Sequence, residues 1–83
     1  MGKLGNETPT YSRNQGFAYY AVFDGDNNVT HEAWASPSSL TSEAKWQICK
    51  HTYVSGNLTR TQWAEGNDEF NFIADNYASI TYS

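Results

Sequence analysis

W-Q-I-C-K-H-T-Y-V-S-G-N-L-T-R-T-Q-W-A, residues 46–64, decides the fold. Its first nine residues alternate: Trp46, Ile48 and Lys50 fall on one side, Gln47, Cys49, His51 and Tyr53 on the other. A period of two is the signature of a β-strand, whose successive side chains point to opposite faces. Ser55, Gly56 and Asn57 then supply turn chemistry, and L-T-R-T-Q-W-A returns as a second strand. The stretch predicts a β-hairpin.

The same grammar occurs upstream. F-A-Y-Y-A-V-F, residues 17–23, is short and aromatic, D-G-D-N-N provides Asp-Gly turn chemistry, and V-T-H-E-A-W-A, residues 29–35, returns. Between the hairpins, P-S-S-L-T-S-E-A, residues 37–44, reads as a loop by its Pro and Ser content. Downstream, E-G-N-D-E-F-N-F-I-A-D-N predicts a turn or a single helical turn, and Y-A-S-I-T-Y-S, residues 77–83, a closing β-rich strip. Five strand candidates without a 3.6-residue apolar stripe predict an all-β domain over residues 16–83, a small antiparallel sandwich or barrel built from sequential hairpins. Residues 1–15 are polar, broken by Gly and Pro, and without periodicity, which predicts an extended N-terminal arm.

The two return strands share letters: Asn28-Val29-Thr30 precedes Trp34-Ala35, and Asn57-Leu58-Thr59 precedes Trp63-Ala64. Both starts are N-x-T sequons, as is Asn6-Glu7-Thr8, but M-G-K-L-G-N at the N-terminus lacks the apolar core of a signal peptide. Glycosylation is therefore not expected. Asn at a turn that needs left-handed backbone and Thr entering a strand account for the same letters. Period two places Trp34 with Thr30 and Glu32, and Trp63 with Thr59 and Thr61, on one face. Tryptophans beside hydroxyls suit stacking on sugar rings or on a partner's apolar residues. A small two-layer domain also needs large side chains to fill it, and core packing of at least one ring is the stronger expectation.

Composition bounds the rest. A chain of 83 residues buries only roughly 60% of its unfolded surface, so stability borrowed from partner chains is expected. One cysteine excludes an intramolecular disulfide, and with two histidines leaves no Cys/His cluster of the kind structural zinc needs. The net charge of −4 argues against nucleic acid as a partner, and no apolar run approaches the ~20 residues of a membrane span. A soluble protein made in a cytosol is the expectation. Gly2 follows Met1, but Asn6 stands where a myristoylation motif needs Ser or Thr.

Candidate chemistry fails piece by piece. Asp24, Asp26 and Asn28 fit the start of a calcium loop, yet Val29 replaces the sharp-turn glycine and Ala35 the bidentate glutamate. The acidic strip Glu65, Asp68, Glu69 and Asp75 reads as a solvated loop. His31-Glu32 begins like H-E-x-x-H, but the second histidine is missing. Cys49 and His51 share a strand face, a pairing that activates thiolates in enzymes, with no oxyanion hole or nucleophile elbow beside them. Neither a catalytic constellation, a cofactor nor a metal is expected. An enzyme would need Cys49 and His51 exposed and paired in a cleft.

Taken together, A-K-W-Q-I-C-K-H-T-Y and G-N-L-T-R-T-Q-W-A-E-G-N-D-E-F-N-F-I-A-D-N-Y-A-S-I-T-Y, within residues 44–83, resemble a module of small virion-associated proteins and fibre segments of tailed bacteriophages. That module runs from a W-x-I strand through a hairpin, an aromatic-Ala-D/E-G-N/D turn and an F-x-x-I-W-D-N-R-like segment to a closing S-L-T-Y. Here Ala74 and Tyr77 stand where Trp and Arg are usual, so no role of that pair carries over. The resemblance implies a non-enzymatic structural part of a phage particle, assembled in the host bacterial cytoplasm as a homo-oligomer against the major capsid protein or neighbouring copies. A capsid-decorating or accessory protein is the first expectation, and a tail-fibre module binding host glycans through Trp34 and Trp63 the alternative. For the arm, Lys3 and Arg13 offer cations, and Leu4, Pro9 and Tyr11 apolar anchors, for docking on a neighbour.

Overall fold

The computed structural model describes residues 16–83. The expected arm, with Lys3, Leu4, Pro9, Tyr11 and Arg13, lies outside the described residues. The rest is all-β and antiparallel, as the hairpin pattern predicts. Strands β1 (Ala18–Phe23), β2 (Val29–Ala35), β3 (Ala44–Val54) and β4 (Asn57–Trp63) form a meander in that order. The short β5 (Phe72–Ile73) pairs with the start of β3, opposite Ala44 and Trp46. At eleven residues β3 is the central strand, and it pairs with β2, β4 and β5.

Both tight hairpins form where expected, though not through the expected asparagines. Ser55 and Gly56, at φ 53° and 81°, make the second turn, and Asn57 already faces Val54 in the ladder. Two successive left-handed residues match the right-handed twist of the flanking strands. In the first turn Asn27, not Asn28, takes the left-handed conformation (φ 64°). Asp24 organises that turn: its carboxylate accepts the backbone N–H groups of Asp26 (2.8 Å) and Asn28 (3.0 Å). These bonds hold its carboxyl below the usual aspartate range.

One face of the sheet carries the core. Ala33, Ala35, Trp46, Ile48, Ala64 and Ala74 are buried together, ringed by Ala18, Tyr20, Phe72, Ile80 and Tyr82. The alanines leave room for the indole of Trp46, whose Nε1–H donates to the Leu40 carbonyl at 3.0 Å. The second layer over this face comes from the C-terminal stretch, in which β5 leads into a 3-10 helix at Ala74–Ser79. Tyr82 then forms an isolated bridge with Ala64.

Here the closing strip departs from expectation. Residues 77–79 are the end of the 3-10 helix, and strand-like pairing is confined to residues 81–83, around the bridge of Tyr82 with Ala64. The reason lies in the turn at 64–67. Glu65 and Gly66 have φ 50° and 74°, and the reversal aligns residues 63–65 with 81–83. Trp63 and Ser83 exchange both backbone hydrogen bonds at 3.0 Å, and Glu65 N–H donates to Thr81 O at 2.7 Å. The chain must cross the core to reach that edge, and the helical turn, with Ala74 buried beneath it, makes the crossing.

Candidate functional site

The opposite face of the sheet gathers the chemistry. Directly paired residues share a face, and the register runs Tyr19 opposite Trp34, Trp34 opposite Gln47, Glu32 opposite Cys49, Cys49 opposite Trp63 and His51 opposite Thr61. Period two along each strand and this register assemble one array across four strands. The repeated motif explains its two tryptophans. Strands β2 and β4 flank β3 in the same direction, so the same letters put both indoles on the same face. Their rings lie 6.4 Å apart, with Tyr19 a further 5.8 Å from Trp34.

Trp34 is only 6% exposed, and Trp63 is half-buried. Trp34 forms no open stacking platform: a sugar ring needs an accessible aromatic face, and that of Trp34 is shut in. Gln47, also buried, donates from Nε2 to the Asp68 carbonyl at 2.9 Å, which ties the loop after β4 to this face. Phe70 of that loop stacks on Phe17 with centroids 6.2 Å apart.

At the centre is a chain of polar contacts. Tyr19 Oη–H donates to Glu32 Oε2 at 2.6 Å, and Glu32 Oε1 lies 2.6 Å from His51 Nε2. An ionised carboxylate can only accept, so Nε2–H donates. On the other side of the ring, Nδ1 is 2.8 Å from Thr61 Oγ1, and Cys49 Sγ lies 3.7 Å from Nε2. Burial pushes the Tyr19 phenol well above its ordinary pKa, and the hydrogen bond to Glu32 and its charge push the same way.

This geometry is not that of a thiolate triad. A cysteine nucleophile needs its thiol on one imidazole nitrogen and the orienting group on the other. Here Cys49 and Glu32 converge on the same Nε2, Thr61 holds Nδ1, and Cys49 is 2% exposed. Among the described residues, Glu32, Cys49 and His51 are a group able to hold a metal ion, with ligand atoms all within 4.8 Å of one another. Spacing along one strand pairs Cys49 with His51, whereas Glu32 lies on another strand. Only the β2–β3 register brings the third ligand in, and no local spacing records it. Tyr19, Gln47 and Thr61 join the face by the same register.

The other candidates are dispersed. His31 points to the core face, against the ring edges of Tyr77 (4.8 Å) and Tyr82 (5.4 Å), and so away from its neighbour Glu32. The Asp24 carboxylate is occupied by its own turn. No helix among the described residues is long and apolar enough to cross a membrane. Compared with protein-family models, curated proteins and solved structures, the chain matches none.

Proposed function

We propose that the chain is a non-enzymatic structural component of a tailed-bacteriophage virion, a capsid-decorating or accessory protein held by its N-terminal arm and neighbouring subunits. The observation that carries this reading is the turn end of the sheet. Phe23, Val54 and Leu58 are 57%, 59% and 53% exposed, and they lie on three different strands at the end of the sheet where both hairpins turn. Large apolar side chains left exposed at one end of so small a domain suit a neighbouring subunit, which would also supply stability that 83 residues have difficulty providing alone. The segment resembling the phage module, residues 44–83, supplies the central strand, the second hairpin and the whole cover of the core. The convergence of Cys49 and Glu32 on one imidazole nitrogen favours a structural role over thiolate chemistry. The glycan-binding alternative is the weaker reading, because Trp34 is enclosed.

The test is to look for the protein in purified particles from the host that carries its gene, by quantitative mass spectrometry and then by cryo-electron microscopy. A fixed copy number per particle, with density at a defined lattice position, is expected. A protein found only free and monomeric in the lysate would overturn the reading.

A further inference from the structure

Glu32, Cys49 and His51 bring a carboxylate, a thiol and an imidazole to one point, and the atoms not aimed at that point are already held. Glu32 Oε2 is fixed by Tyr19 and His51 Nδ1 by Thr61, which leaves Oε1, Nε2 and Sγ facing one another. Metal-binding histidines and carboxylates are oriented in this way by outer partners. Zinc–ligand bonds of about 2.3 Å to sulfur and ~2.05 Å to nitrogen, at the tetrahedral angle, set S and N about 3.6 Å apart. Cys49 Sγ and His51 Nε2 are 3.7 Å apart. Glu32 Oε1 and Nε2, at 2.6 Å, are at hydrogen-bond distance. To share an ion they need to separate to about 3.3 Å, and the carboxylate oxygen and Sγ, within 4.8 Å of one another, need to sit about 3.6 Å apart, so the glutamate moves away from the ring and towards the thiol.

We propose that Glu32, Cys49 and His51 form a binding site for a single divalent transition-metal ion of the zinc class. The donor set decides the class: thiolate with imidazole selects zinc, cobalt or nickel over magnesium and calcium, which take oxygen. The two anionic ligands neutralise the dication. Binding sends the Cys49 thiol proton to solvent and moves the imidazole proton to Nδ1, where Thr61 Oγ1, able to donate or accept, takes it as an acceptor. Cys49 is buried, whereas the His51 and Glu32 side chains are 12% and 25% exposed, so the ion enters from their side. Three protein ligands leave a fourth position there for water or a donor from a second molecule. This proposal does not depend on where the protein sits in a particle.

The experiment is titration of the reduced, metal-free full chain with Co²⁺, followed by displacement with Zn²⁺. One equivalent of cobalt should produce a thiolate-to-cobalt charge-transfer band and the intense visible bands of a tetrahedral ion. Cys49 is the only cysteine, so the charge-transfer band reports this site alone. Cys49→Ser should abolish it. Glu32→Gln and His51→Gln, at partly exposed positions, should each weaken cobalt binding at least ~10-fold while the circular dichroism stays that of the parent. Thr61→Val, which removes only the positioning group, should keep the band and lower affinity by about 10- to 100-fold. Absence of the charge-transfer band at saturating cobalt would overturn the proposal. So would a band indifferent to Glu32→Gln and His51→Gln in folded protein.

Discussion

The two faces of the sheet both exclude water from large side chains, but by different physics. On the core face Trp46 and Ile48 pack among four buried alanines, under a cover formed by β5, the 3-10 helix and Tyr82. On the opposite face Trp34, Gln47 and Cys49 are buried beside a polar chain from Tyr19 through Glu32 and His51 to Thr61. Apolar packing is non-directional and tolerates swaps that conserve volume. A polar array tolerates little, because a donor or acceptor left without its partner loses both the bond and its hydration. The core face should therefore set how stable the domain is, and the opposite face how strictly its four strands keep register.

The largest effect expected is on the core face. Trp46→Ala removes its biggest fully buried side chain and should cost about 3–5 kcal/mol, a large share of the ~5–15 kcal/mol total of an ordinary domain. Urea denaturation followed by circular dichroism measures it, and a cost below about 1 kcal/mol would show that Trp46 does not anchor the fold. On the other face, Glu32→Ala deprives both Tyr19 and His51 of their acceptor, at about 1–3 kcal/mol. Combined with Tyr19→Phe, the double-mutant cycle should show a coupling of ~0.5 kcal/mol or more. Strict additivity would mean that the polar chain is a row of independent contacts and would dissolve the contrast between the faces.

Gly66 tests how the cover is delivered. Its φ of 74° is left-handed, and an added Cβ would lie 2.9 Å from Ser83 Oγ. The serine side chain can swing aside, so the cost of Gly66→Ala is mainly backbone strain, about 1–2 kcal/mol. Amide exchange at Glu65 and Ser83, which hydrogen-bond across this turn, should accelerate in the variant. Unchanged exchange there would mean that the cover is held from β5 alone.

The strand and hairpin pattern was legible because period two and turn chemistry are local. Trp46 against Cys49, and Trp34 with Glu32, could be sorted to faces from spacing alone. Which face is the core could not, since each side carries at least one tryptophan and the decision rests on where residues 72–83 cross. That crossing is set by a pairing of Trp63 with Ser83 across twenty residues, with no periodic trace. The candidate site was half legible for the same reason: Cys49 and His51 are two apart on one strand, but Glu32 reaches them only through cross-strand register. The repeated N-φ-T letters were explicable as hairpin starts, yet the left-handed positions fell one residue earlier, at Asn27, and at Ser55 and Gly56.

The two histidines divide between the faces, and that makes the smallest effect informative. His51 sits in the polar chain, whereas His31 is enclosed by the edges of Tyr77 and Tyr82, with Thr30 Oγ1 3.0 Å from its Nδ1. Burial lowers the His31 pKa from 6.5, and the positive charges of Lys50 and His51 lower it further. A depressed histidine means that, as pH falls through about 6.5, the unfolded chain takes up a proton that the folded chain refuses. Stability should therefore decline on acidification from near neutrality and level off once the pH is below the folded-state value. Asp24 and Glu43, held below their ordinary ranges by backbone N–H groups, titrate below that window and leave it clear. His31→Phe keeps a ring between the two tyrosines and removes the titrating group, so urea midpoints measured across the window should flatten relative to the parent. An undiminished slope in the variant would move the pH dependence off His31 and off the core face. The apolar face would then contribute packing alone.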